Sequence, residues 1–164
     1  RFLPTGEWLI NGVPFRIMDA EENNGASCLV LSGGVQGDSP FPERVNVPVN
    51  GRLSTLHFLH TVTWGSRSGP GFSYVLHFAD GVTEEVVVEM QKNVADWWWQ
   101  GNVPAAKVAW EGPNKIRENV RLYHVSYDVQ HPKGAQAVLE RIEIISAKKR
   151  PIPVIVAITG VHSN

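Results

Sequence analysis

Hydrophobic and polar residues alternate along this chain in short runs, and none keeps a 3.6-residue period over the roughly 10–12 residues that a helix needs. Trp8-Leu9-Ile10 and Phe15-Arg16-Ile17 flank Asn11-Gly12, a pair that predicts a tight hairpin turn. Ser27 to Leu31 reads as a buried strand, with Cys28 a small buried hydrophobe. Val45, Val47 and Val49 alternate with Asn46 and Pro48, and the proline places that run at a sheet edge or a strand end. Leu53 to Trp64 is the longest candidate strand. It sets Leu56, Phe58, His60, Val62 and Trp64 on one face and His57, Leu59 and Thr61 on the other. His57 and His60 therefore point opposite ways and cannot chelate one metal together. His60 is expected to be a structural histidine with satisfied nitrogens.

Tyr74 to Phe78 and Glu84 to Val88 flank Asp80-Gly81, a second hairpin signal, with Glu84 and Glu85 expected to be solvated. Val108 to Trp110, Leu122 to Val129, Leu139 to Ile145 and Val154 to Ile158 complete the set, with Tyr123, Val125 and Tyr127 sharing one face. Gly33 to Pro42 reads as a loop. Roughly ten short strands joined by Gly- and Pro-rich turns predict an all-β chain. The expected architecture is an antiparallel β-sandwich of jelly-roll type, a single module over residues 1–164.

Composition narrows the classes. Hydrophobic residues make 43% and charged residues 19% of the 164, the values of a globular domain. A formal net charge of −1 supplies no basic field for nucleic acid or an acidic membrane, and no apolar run approaches a membrane span. One cysteine excludes an internal disulfide. The chain starts at Arg1 rather than Met, so the expectation is a processed or excised piece of something longer. A monomer and a secreted or periplasmic location are expected as well.

The stretch Asp96-Trp97-Trp98-Trp99-Gln100-Gly101-Asn102, with Trp110-Glu111-Gly112-Pro113-Asn114, holds four of the six Trp beside amides and carboxylates. Three adjacent Trp cannot all enter one core, because neighbouring side chains on a strand diverge. One reading makes Trp97, Trp98 and Trp110 core or corner residues, with Trp99 half-buried. The other is a ligand surface, since an aromatic plane ringed by amides suits the C–H face of a sugar.

Asp19-Ala20-Glu21-Glu22-Asn23-Asn24-Gly25 is rich in oxygen donors. The simpler reading is a solvated turn. The alternative is a structural calcium on Asp19, Glu21 and Asn24, though the spacing departs from the helix–loop–helix calcium pattern. No other cofactor is required.

Several pieces in order carry a family likeness: Gly12-Val13-Pro14-Phe15 and Asp19, Asn24-Gly25-Ala26-Ser27, Leu56-His57-Phe58-Leu59-His60 to Trp64, Tyr74 to Gly81, Asp96-Trp97-Trp98, and Ala109-Trp110-Glu111-Gly112-Pro113-Asn114 leading to Leu122-Tyr123. This order resembles the galactose-binding-like jelly-roll modules appended to bacterial polysaccharide-degrading enzymes. The resemblance covers about residues 12–159 and implies a non-catalytic carbohydrate-binding module. Its partner would be a plant or algal polysaccharide or oligosaccharide, and it would be linked to a catalytic domain. Asp96-Trp97-Trp98 and Ala109-Trp110 belong to the shared pattern, whereas Trp99 and Asp128-Val129-Gln130-His131-Pro132 depart from it. The expected sugar contacts are therefore Trp99, Gln100, Asn102, Asp128 and His131, with Trp97 beside them. The net charge favours a neutral or weakly charged glycan. A ligand-free spacer module is one alternative. A small jelly-roll glycan-active enzyme built around a Tyr123–His131 pair is the other, although no Gly-x-Ser-x-Gly elbow or zinc spacing is present.

Overall fold

The structure is a computed structural model that describes residues 2–34 and 39–163. Ten strands are present among them: β1 (Gly6–Ile10), β2 (Val13–Ile17), β3 (Leu29–Val30), β4 (Arg44–Thr63), β5 (Pro70–Phe78), β6 (Thr83–Glu89), β7 (Lys107–Gly112), β8 (Val120–Asp128), β9 (Val138–Ser146) and β10 (Ile152–His162). All strand pairs are antiparallel. The helical content of the described residues is one 3-10 turn at Gly134–Gln136.

The 20-residue β4 makes this a sandwich. Its first half, Arg44 to Arg52, pairs with β9, and its second half, Leu53 to Thr63, pairs with β10 and β8. Between the halves the register slips at Pro48/Gly51 and Asn50 takes a left-handed φ of 53°. Such a bulge bends a strand without ending its pairing. One layer is β4-β9-β5-β6 and the other β3-β10-β4-β8-β7. The sequence reading split this strand in two. It did place Pro48 correctly, because the first half of β4 bonds β9 on one side and forms a sheet edge.

The layers meet through Leu56, Phe58 and Val62 of β4, Phe72, Tyr74 and Leu76 of β5, and Ile142 and Ile144 of β9, all buried. Phe58 stacks on Tyr74 with ring centroids 3.8 Å apart, although their strands are not hydrogen-bonded, so this contact crosses the sandwich. The β1–β2 hairpin turns at Asn11-Gly12, both with positive φ, and lays Ile10, Phe15 and Ile17 on Leu59 at the outer face of β4.

Four expectations need correcting. Trp64 does not continue the inner face of β4: it leaves the strand with φ of 56° and is 55% exposed. Cys28 is exposed, since β3 is only Leu29–Val30 and the chain before it runs outside the sheet. Glu84 is not simply solvated: its Oε2 accepts the Tyr127 hydroxyl at 3.1 Å and the Gln130 N–H at 3.0 Å. Trp110, on the edge strand β7, is half-buried rather than core. Of the expected Gly33–Pro42 loop, residues 35–38 lie outside the described residues.

Candidate functional site

The strand directions put residues 64–69, 90–106, 113–119 and 147–151 toward one end of the sandwich, and the described part of the β3–β4 connection joins them, Gly34 N–H bonding the Lys149 and Arg150 carbonyls. The first two carry the aromatic side chains. Trp64, Trp98 and Trp99 are 55%, 44% and 43% exposed. One carboxylate joins their loops. Asp96 Oδ2 accepts the Gly65 N–H at 2.6 Å, and Oδ1 accepts the Trp98 N–H at 3.3 Å. Asp96 is itself nearly buried, and that burial raises its carboxyl above the usual range, against the lowering effect of the two N–H bonds and the nearby Arg150 charge. Gly65 is required here, because a Cβ would stand 2.9 Å from the Asp96 Cβ.

The backbone under Trp99 is held from β8. The Trp99 carbonyl accepts the Tyr123 hydroxyl at 3.3 Å and Arg121 Nη1 at 3.4 Å, and Arg121 Nη1 also reaches the Gly101 carbonyl at 3.3 Å. Glu111 fixes Arg121 through Nε at 2.6 Å. Burial pushes the Tyr123 phenol up to about 12, so it stays a donor at any ordinary pH. The Trp99 ring lies across Gly101, where a Cβ would stand 2.5 Å from it. Gln100 and Asn102 are exposed beside it.

Trp97 plays a different part. Its N–H bonds the Val62 carbonyl at 2.9 Å, its carbonyl accepts the Arg121 N–H, and its indole Nε1 is buried. It is the anchor of the loop and not an open face. Trp98 has one face covered by the Arg117 guanidinium, 4.6 Å from the ring centroid.

Trp99, Gln100 and Asn102 lie in one loop and are exposed, with Trp97 anchoring it. Asp128 and His131 do not join them. Arg121 and Asp128 stand at opposite ends of β8, ~23 Å apart at a strand rise of ~3.3 Å per residue. Asp128 accepts the Thr55 hydroxyl at 2.9 Å. His131 is 4% exposed, wedged against Phe78, its Nδ1 accepting the Lys133 N–H and its Nε2 donating to Asp80. It locks the turn between β5 and β6 and offers no free nitrogen. Tyr123 and His131 are likewise at opposite ends and form no pair. Trp64 is the residue that sequence reading missed, because its alternation continues β4 until the backbone turns left-handed.

At the Asp19–Gly25 turn, Asp19 Oδ1 accepts the Glu21 N–H at 2.9 Å, Gly25 N–H bonds Ala20 O, and Asn24 takes a left-handed φ. These bonds make a self-satisfied turn. Among the described residues no group of three His, Cys, Asp or Glu is placed to hold a metal.

Two histidine arrangements lie elsewhere. His60, fully buried, accepts the Tyr74 hydroxyl at Nδ1 (2.9 Å) and donates from Nε2 to the Asn93 carbonyl (3.0 Å), the structural role expected of it. On the outer face, His57 Nδ1 and His124 Nε2 are 3.0 Å apart, with the Asn11 amide 3.4 Å from His124 Nδ1. A groove of about 330 Å³ lies beside Cys28 and Ile155, and one of about 280 Å³ lies between His124 and Pro104–Ala106, the last residues of the 90–106 connection.

Comparison with known proteins gives no match: no family model, no curated protein and no solved structure is similar to this chain. The likeness to galactose-binding-like modules rests on the ordered motifs alone.

Proposed function

We propose that the chain is a non-catalytic carbohydrate-binding module of jelly-roll type. In the secreted parent protein it would hold an attached polysaccharide-active enzyme on its glycan. The observation that supports this reading is the grouping of three exposed Trp at one end of a β-sandwich, with both of their loops tied to Asp96. Exposed indoles lose hydration favourably when covered, and a pyranose ring covers one while its hydroxyls reach Gln100 and Asn102. The site is open surface, which suits a long polymer better than an enclosed small molecule. The polar side chains that follow the indoles in the loop are the exposed Gln100 and Asn102 amides.

A glycan array with affinity electrophoresis tests this. Ring-face contacts contribute about 1–2 kcal/mol, so affinities in the roughly micromolar to millimolar range are expected. Trp99→Ala and Trp64→Ala should each weaken binding about tenfold, the equivalent of ~1.4 kcal/mol, with melting temperatures nearly unchanged. If the wild type binds no glycan at millimolar concentration, the chain is a spacer module.

The turn at Asp19, Glu21 and Asn24 needs no calcium in this reading. Excess chelator should leave the melting temperature unchanged, because the Asp19 carboxylate already accepts a backbone N–H. A drop of several degrees would assign a structural calcium there.

A further inference from the structure

We propose that the glycan is acidic and that Arg117 selects it by taking a carboxylate or sulfate on the polymer. This deepens the carbohydrate-binding reading and rests on it. The formal charge of the whole chain, −1, hides a strong asymmetry. Among the described residues, the connections at the aromatic end carry seven Lys or Arg (Arg67, Lys92, Lys115, Arg117, Lys148, Lys149 and Arg150) against three carboxylates, Asp96, Glu118 and Glu43. Asp96 is nearly buried and committed to backbone N–H groups. Lys92 and Lys148 are paired with Glu89 and Glu43. Arg67, Lys115, Arg117, Lys149 and Arg150 have no carboxylate within ion-pair distance among the described residues. The β4–β10 register, Ile152 opposite Thr63, sets Arg150 across from the Trp64–Gly65 turn.

Arg117 is the best prepared of these. Asn114 Oδ1 accepts the N–H of both Ile116 and Arg117, at 2.8 and 2.7 Å, and the Asn114 N–H bonds the Arg117 carbonyl at 2.9 Å. That closed turn holds the Arg117 backbone while its guanidinium stacks on Trp98. With its Cζ 4.6 Å over the ring, the guanidinium makes no side-chain hydrogen bond or ion pair among the described residues, which leaves N–H groups to receive a carboxylate or sulfate through two parallel bonds. Trp99, in the same loop as Trp98, supplies the ring face for the sugar that bears the charge. A glycan spaces its charges about one per sugar, which a few separate cations can match. A nucleic acid carries one charge per ~1.7 Å and draws on a denser basic surface.

The test uses matched polymers that differ only in charge: polygalacturonate against its fully methyl-esterified form, and a sulfated galactan against the desulfated galactan. Binding to wild type and Arg117→Gln is measured by calorimetry at low and at high sodium chloride. The expected result is at least tenfold tighter binding of one acidic polymer than of its neutral counterpart. High salt and Arg117→Gln should each remove that preference, while Arg117→Gln leaves the melting temperature in place. Equal or tighter binding of the neutral member overturns the inference and leaves the carbohydrate-binding reading standing. Binding to none of the four polymers, nor to any other glycan, overturns both. Tighter binding of a single-stranded oligonucleotide than of every glycan replaces the glycan with a nucleic acid.

Discussion

Stability is expected to fall by about 3 kcal/mol as pH drops from 7 toward 4, with His60 the main cause. His60 is fully buried, and burial depresses its pKa from 6.5 to about 4, against a raising effect from its bond to the Asn93 carbonyl and with a further lowering from His124. The neutral ring fits this site. Nε2–H donates to a carbonyl that can only accept, and Nδ1 takes the Tyr74 hydroxyl. A folded-state pKa below the unfolded value means that the unfolded chain binds the proton more readily. The neutral-state stability is therefore fully present above pH 6.5 and is lost as pH falls from 6.5 toward 4. His57 and His124 act in the same sense, both lowered chiefly by burial. Asp96, whose pKa is raised, acts in the opposite sense and offsets part of the loss near the acid end of the window. Denaturant unfolding at intervals between pH 7 and 4 reads the slope. His60→Gln should lower stability at pH 7 but flatten the dependence. A wild-type curve that is already flat would show that His60 is protonated without penalty.

The second large effect is expected at Asp96. Asp96→Ala removes the acceptor of two backbone N–H groups, at Gly65 and Trp98, in a nearly buried place. Hydrogen bonds to a charged group contribute about 1.5–3 kcal/mol each, so a loss of about 3 kcal/mol in stability is expected after partial rehydration of the freed N–H groups. Glycan binding should fall further than in Trp99→Ala, because both aromatic loops lose their common tie. Asp96→Asn, which keeps one carbonyl oxygen, should lie between. Calorimetric melting together with binding separates the two effects. An Asp96→Ala variant that melts like wild type and still binds would mean that the loops are held by Trp97 and Tyr123 alone.

Sequence by itself determined what depends on neighbours along the chain. Asn11-Gly12 and Asp80-Gly81 made the hairpin turns that their backbone preferences dictate, and the alternation of apolar residues put Leu56, Phe58 and Val62 on one face, which is buried. The aromatic stretch from Trp97 to Asn102 was also legible, because three adjacent indoles cannot share one core. Tertiary structure decided the rest. Whether Val45 to Trp64 is one strand or two depended on a corner at Asn50 that only the β9 and β10 pairings reveal. His131 and Asp128 lie close to each other in sequence but an entire sandwich length from Trp99, since strand direction and not sequence distance sets which loops meet. His57 finds His124, 67 residues away, through the β4–β8 register. Trp64 joins Trp98 and Trp99 only because Asp96 binds the turn beside it. The net charge was legible from composition, but its concentration around the indoles was not, because charge is summed along the chain and felt across space.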